Sequence, residues 1–156
     1  TQEDASLILI LDQVTDPHNV GAILRTAAAL NVKAVIVTDY KSADLFSPVL
    51  IKTASGAYEI TPILSVTNLA QALATLKKSG YWLVGMAEGG DQALPEMELT
   101  GHWGIVLGAE GKGIRRLTRD SCDFIAHLPT AEDFSTLNVS NAAAIAAYEF
   151  FRQNNF

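Results

Sequence analysis

Six short runs of Val, Ile, Leu and other apolar residues recur along the 156-residue chain, at 7–11, 34–38, 60–65, 81–86, 103–108 and 124–129, with helix-forming segments between them. The runs read as strands and are continuous rather than alternating, so most of them are expected to be buried on both faces. Strands of that kind alternating with helices build an α/β fold: a mainly parallel six-stranded sheet between helix layers, of doubly wound type. Hydrophobic residues are 49% of the chain and charged residues 18%, enough apolar surface for one core and too little charge for disorder. No repeat, low-complexity tract or internal linker divides the chain, and residues 1–156 read as a single domain.

Helices are expected at 19–30, 45–52, 68–79, 113–119 and 139–152. Asn19 is placed to cap the first, whose apolar stripe of Val20, Ile23, Leu24, Ala27 and Ala28 leaves Arg25 to one side. Thr67 opens the third and Gly80 closes it. A single cysteine, Cys122, closes no internal disulfide, and three scattered histidines assemble no four-ligand metal cluster, so no metal is expected. The start of the chain, polar and acidic, lacks a signal-peptide pattern, and no run is long enough to span a membrane. A cytoplasmic location follows as the expectation, and with it the Asn138-Val139-Ser140 sequon is not read as a glycosylation site. The absence of an initiator Met leaves room for a further domain before Thr1.

Three constellations lie at predicted strand ends. The first runs from Asp12 at the end of the first strand through Asp16-Pro17-His18-Asn19-Val20-Gly21 to Arg25. A loop leaving a buried strand for a helix N-terminus is where open α/β sheets bind ligands, although the same residues also make an ordinary turn and cap. The second is Gly108-Ala109-Glu110-Gly111-Lys112-Gly113, a glycine-rich loop that matches neither the P-loop nor the dinucleotide fingerprint. Lys112, Arg115, Arg116 and Arg119 follow with no carboxylate among residues 112–119, either a solvated face or a phosphate-binding ridge. The third, Leu137-Asn138-Val139-Ser140, precedes an Ala-rich helix and is equally open to capping chemistry.

Taken together and in this order, the three constellations resemble the motifs of the SpoU family of RNA ribose 2'-O-methyltransferases, in the SPOUT class, over residues 7–152. The wording of the second resembles the branch that modifies a guanosine of large-subunit (23S) ribosomal RNA. The resemblance implies a SPOUT-type α/β knot, in which the C-terminal third forms a trefoil and holds S-adenosylmethionine (SAM). It implies that Gly108, Gly111, Ala87, Leu128 and Leu137 line the cofactor pocket. It further implies that Arg25, Asn19, Glu110, Asn138 and Thr136 position the substrate or take part in catalysis, with Arg25, Lys112, Arg115 and Arg116 meeting RNA. Family members form homodimers, which casts the apolar final helix, with Ile145, Tyr148, Phe150 and Phe151, as an interface. Many also carry an RNA-binding extension ahead of this domain.

An arginine stays protonated, so Arg25 reads as a fork that grips the target phosphate and orients the 2'-hydroxyl, with Glu110 and Asn19 holding it. Two positions depart from the family pattern: Thr136 stands where Ser is usual, keeping the hydroxyl, and Glu132 where Gly is usual, adding a Cβ and a negative charge to the cofactor loop. Alternatives to a ribosomal RNA methyltransferase are a tRNA 2'-O-methyltransferase, a catalytically weak RNA-binding paralogue, and an ordinary nucleotide-binding enzyme that lacks the standard glycine fingerprints. The net charge of −6 opposes a polyanion partner only as an average, because Glu88, Asp91, Glu96 and Glu98 concentrate the acid on one segment while residues 112–119 concentrate the base.

Overall fold

The structure, a computed structural model, describes residues 4–39, 43–109, 113–131 and 137–156. In chain order the elements are β1 (Ser6–Asp12), α1 (Pro17–Ala29), β2 (Ala34–Thr38), α2 (Pro48–Ala54), β3 (Ile63–Val66), α3 (Leu69–Lys78) and β4 (Trp82–Met86). They continue with β5 (Gln92–Ala93), β6 (His102–Gly108), α4 (Arg116–Ser121), β7 (Phe124–His127) and α5 (Val139–Asn155). All strand pairs are parallel, in the order β3-β2-β1-β6-β4-β7-β5. Among the described residues no helix is long and apolar enough to cross a membrane.

The runs that form β1 and β2, and most of those that form β4 and β6, are buried on both faces, as expected. Leu7, Leu9 and Leu11 of β1 join the core beneath α1, α2 and α5, while the alternate residues Ile8 and Ile10 join Leu69 and Leu73 of α3 on the other face. The sheet has seven strands rather than six, because Gln92–Ala93 adds a two-residue edge beyond β7 that carries no hydrophobic signal. At the opposite edge the run at 60–65 shortens to β3, with Leu64 and Ser65 exposed. Residues Ala57–Glu59 form a 3-10 turn instead, and Pro62, without an N–H, precedes the strand and lends only its carbonyl to Val35.

Helix starts differ for local reasons. Helix α1 begins at Pro17, its N-cap is Asp16, which accepts the His18 N–H at 2.9 Å, and Asn19 lies inside the first turn rather than capping it. Helix α2 likewise waits for Pro48, not residue 45. Asn68, not Thr67, caps α3 by accepting the Gln71 N–H, while the Thr67 hydroxyl donates to Asp39. Helix α4 starts at Arg116 because Gly113 has φ +65°, outside the right-handed helical region. Strand β7 lies between β4 and β5, so a late strand enters between two earlier ones. A knot is a property of the whole chain path, and that path includes 110–112 and 132–136, outside the described residues.

Candidate functional site

Strand order places β6 between β1 and β4, where the chain switches from building one side of the sheet to building the other. The crevice outside the carboxyl ends of such strands is the ligand position of open α/β sheets. Pairing of β1 with β6 sets Asp12 opposite Gly108, so the first and second constellations meet there. The Asp12 carboxylate is buried and accepts two hydrogen bonds from Arg115, from its backbone N–H at 2.9 Å and its Nε at 2.7 Å. A carboxylate taken out of water is tolerated when its charge and its lone pairs are matched, and Arg115 does both. In return Asp12 anchors the N-cap of α4.

Gly108 is required by the path of the loop it opens. Ala109 and Gly113 form an antiparallel bridge, with the Gly113 N–H donating to Ala109 at 2.8 Å, so the chain doubles back over Gly108. A Cβ on Gly108 would lie 2.1 Å from the Gly113 carbonyl carbon. Glu110, Gly111 and Lys112, at the tip of this loop, lie outside the described residues.

Ala87 and Leu128 directly follow β4 and β7, and residues 137–140 of the third constellation lead into α5. The Ala87 N–H donates to the Ala126 carbonyl at 2.9 Å, and the 87–91 segment crosses so close to β7 that a Cβ on Gly90 would sit 2.6 Å from the Ala126 carbonyl carbon. The His127 Nδ1 donates to the Gly90 carbonyl at 2.8 Å, which fixes the crossing. Ala87 and Leu128 are half-buried here, and Leu137 keeps 39% of its surface exposed. Asn138 caps α5 by accepting the Ser140 N–H at 2.8 Å and the Ser140 hydroxyl. Thr136 and Glu132 belong to 132–136, outside the described residues.

Arg25 is exposed on α1 and makes no hydrogen bond or ion pair among the described residues. Asn19, expected to hold it, is buried and lies six residues away; at 3.6 residues per turn the two side chains diverge by about 120°. The basic ridge is also thinner than its sequence: Arg115 spends its Nε on Asp12, leaving Arg116 and Arg119 exposed on α4. Burial, with Asp123 nearby, pushes the Cys122 thiol up to about 12, so this cysteine is no nucleophile at neutral pH. His18 lies on the exterior, with its Nδ1 3.3 Å from the Thr53 hydroxyl. The carboxyl end of the sheet gathers apolar lining and a tight backbone loop rather than an acid–base pair, and Arg25 stands exposed on α1. Asp12 opens the first constellation in the sequence, where its one signal is a carboxylate closing an otherwise apolar strand, and its pairing with Arg115 is what the sequence does not announce.

Comparison with known proteins gives a consistent result. The SpoU rRNA Methylase family matches residues 6–148. A 23S rRNA (guanosine-2'-O-)-methyltransferase RlmB of Pseudomonas aeruginosa is 52% identical over 151 residues, covering 97% of this chain and 60% of that protein. The RlmB of Pseudomonas putida is 51% identical over the same shares. Among solved structures, the SpoU methyltransferase AviRb from Streptomyces viridochromogenes in complex with AdoMet superimposes with a TM-score of 0.88 at 30% identity, covering 98% of this chain and 59% of that one. The chain therefore spans about 60% of the length of the curated relatives it matches.

Proposed function

Because the chain belongs to the SpoU rRNA methylase family, we propose that it is the catalytic domain of a SAM-dependent RNA methyltransferase acting on a ribose 2'-hydroxyl, that of a guanosine in 23S ribosomal RNA. The observation that carries the reading is the match to RlmB proteins at 51–52% identity over 97% of the chain. A ribosomal RNA substrate also favours the cytoplasm as its place of work.

The residues present suit the cofactor. Ala87, Leu128 and Leu137 are apolar yet only partly buried at the carboxyl end of the sheet, a lining that an adenosyl group would cover. When bound, SAM supplies an activated methyl group on sulfur. The chain's part is then to hold a ribose oxygen in line with that methyl and to exclude competing geometries. Gly108, Gly111, Ala87, Leu128 and Leu137 hold the cofactor. Arg25 grips the phosphate beside the target ribose with its fork of N–H donors, and Glu110, Asn138 and Thr136 complete the substrate side. Arg116 and Lys112 draw the RNA backbone in, with the free part of Arg115 beside them. The exposed stripe of α5, Ile145 and Tyr148, joins two copies of the chain into a homodimer.

Incubating the chain with SAM carrying a tritiated methyl group and with 23S ribosomal RNA lacking 2'-O-methylation tests the proposal. Label is expected on the ribose of one guanosine. Label on a base, on tRNA alone, or no transfer by protein that binds SAM overturns it.

A further inference from the structure

The opposite end of the sheet carries a second cleft. Trp82 and Phe124 open β4 and β7, and Trp103 stands in register with Trp82 near the start of β6. Their rings share one face, with centroids 6.4 Å apart for Trp82–Trp103, 6.1 Å for Trp82–Phe124 and 5.8 Å for Trp103–Phe124, tilted by 33–44°. They floor a cleft of about 470 Å³ whose other wall is the segment returning from β5 to β6, with Glu96 and Glu98 on it. Met97 between them is buried, while both glutamates are exposed and line the same cleft. Neither is ion-paired among the described residues.

The cleft is built rather than incidental. The Trp103 indole donates to the Thr100 carbonyl at 2.9 Å. On α5, Gln153 ties the wall down, donating to the Met97 carbonyl at 2.9 Å and accepting the Leu99 N–H at 2.8 Å. Trp82 nevertheless keeps 54% of its surface exposed. The seven residues of β6 separate this end from the methyl-transfer site by about 20 Å, so the two do not overlap.

We propose that this cleft receives an arginine side chain from a basic segment of a partner protein. Aromatic faces attract cations, and a planar guanidinium stacks on indole while its N–H fork reaches two carboxylates. RNA would set its phosphates against Glu96 and Glu98. The volume exceeds what one side chain fills, leaving room for the residues on either side of the arginine.

Trp82 and Trp103 are the chain's two tryptophans, so indole fluorescence reports on this cleft alone. The chain is titrated with a blocked Gly-Arg-Gly-Arg-Gly peptide and with its citrulline counterpart, which keeps shape and loses charge. A saturable fluorescence change is expected with the arginine peptide, with affinity about tenfold lower for the citrulline peptide. A double variant Glu96→Gln, Glu98→Gln should weaken the arginine peptide about as much, with circular dichroism and methyl transfer unchanged. Equal response to the two peptides, unaltered affinity in the double variant, or saturation by spermidine and not by the arginine peptide overturns the proposal.

Discussion

Two arginines of the motifs differ in their surroundings, and their partners show how. Arg115 neutralises Asp12, a buried carboxylate 103 residues away in sequence, and holds the glycine-rich loop and α4 to the end of β1. Arg25 has no such partner among the described residues and presents its guanidinium to solvent. A cation that stabilises nothing in the fold is free to bind a substrate phosphate. Replacing Arg25 with Ala is therefore expected to lower methyl transfer by on the order of a hundredfold or more, the cost of a misplaced reactant, with SAM affinity by calorimetry and the unfolding midpoint unchanged. A variant with full turnover would remove Arg25 from the site. The motif around Arg25 was legible in the sequence. The role of Asp12 was not, because no local pattern announces an ion pair between residues so far apart.

Between elements, the close contacts are made by glycines and set by prolines. Gly21 of α1 faces α2 so tightly that a Cβ would lie 2.7 Å from the Leu50 carbonyl oxygen and 2.8 Å from the Thr53 Cβ. The first motif thus carries a packing requirement beside its chemistry. Gly21→Ala gains helix propensity, worth about 1 kcal/mol, but must push α2 away, and overpacking against backbone costs about 1–3 kcal/mol. A net loss of stability in urea unfolding is expected, and a gain would mean that α1 and α2 do not pack in this way. The strands were readable because burial on both faces leaves a continuous apolar run, as in β1 and β6. Strand β5, two residues held by backbone pairing to β7, leaves no such trace, and the crossing of Gly90 over Ala126 depends on neighbours that the sequence does not juxtapose. Helix starts moved where a proline or a left-handed glycine overrode the apolar period, at Pro17, Pro48 and Gly113.

For the molecule as a whole, the net charge of −6 resolves into separate surfaces. Glu96 and Glu98 line the cleft at the amino ends of the strands, while Glu88 and Asp91 remain on the crossing beyond the carboxyl end of β4, dividing the acid that the sequence places on one segment. The helix α5 has a similar division. Ala143, Ala146, Ala147 and Phe150 are buried against the core, which satisfies the single apolar face that a surface helix requires. Yet Ile145 and Tyr148 keep 48% and 50% of their surfaces exposed on another side, with Phe151 stacked 6.1 Å from Tyr148. A second apolar stripe without a covering element fits a two-fold contact in which α5 meets its own copy, so that each stripe covers the other. Light scattering at micromolar concentration should then give twice the 16.7 kDa chain mass. Ile145→Asp places two carboxylates near the two-fold axis and should halve that mass, with helix content by circular dichroism retained, since the side chain is exposed within one chain. A wild-type chain of monomeric mass, or a variant that remains dimeric, would assign the stripe on α5 to some other contact.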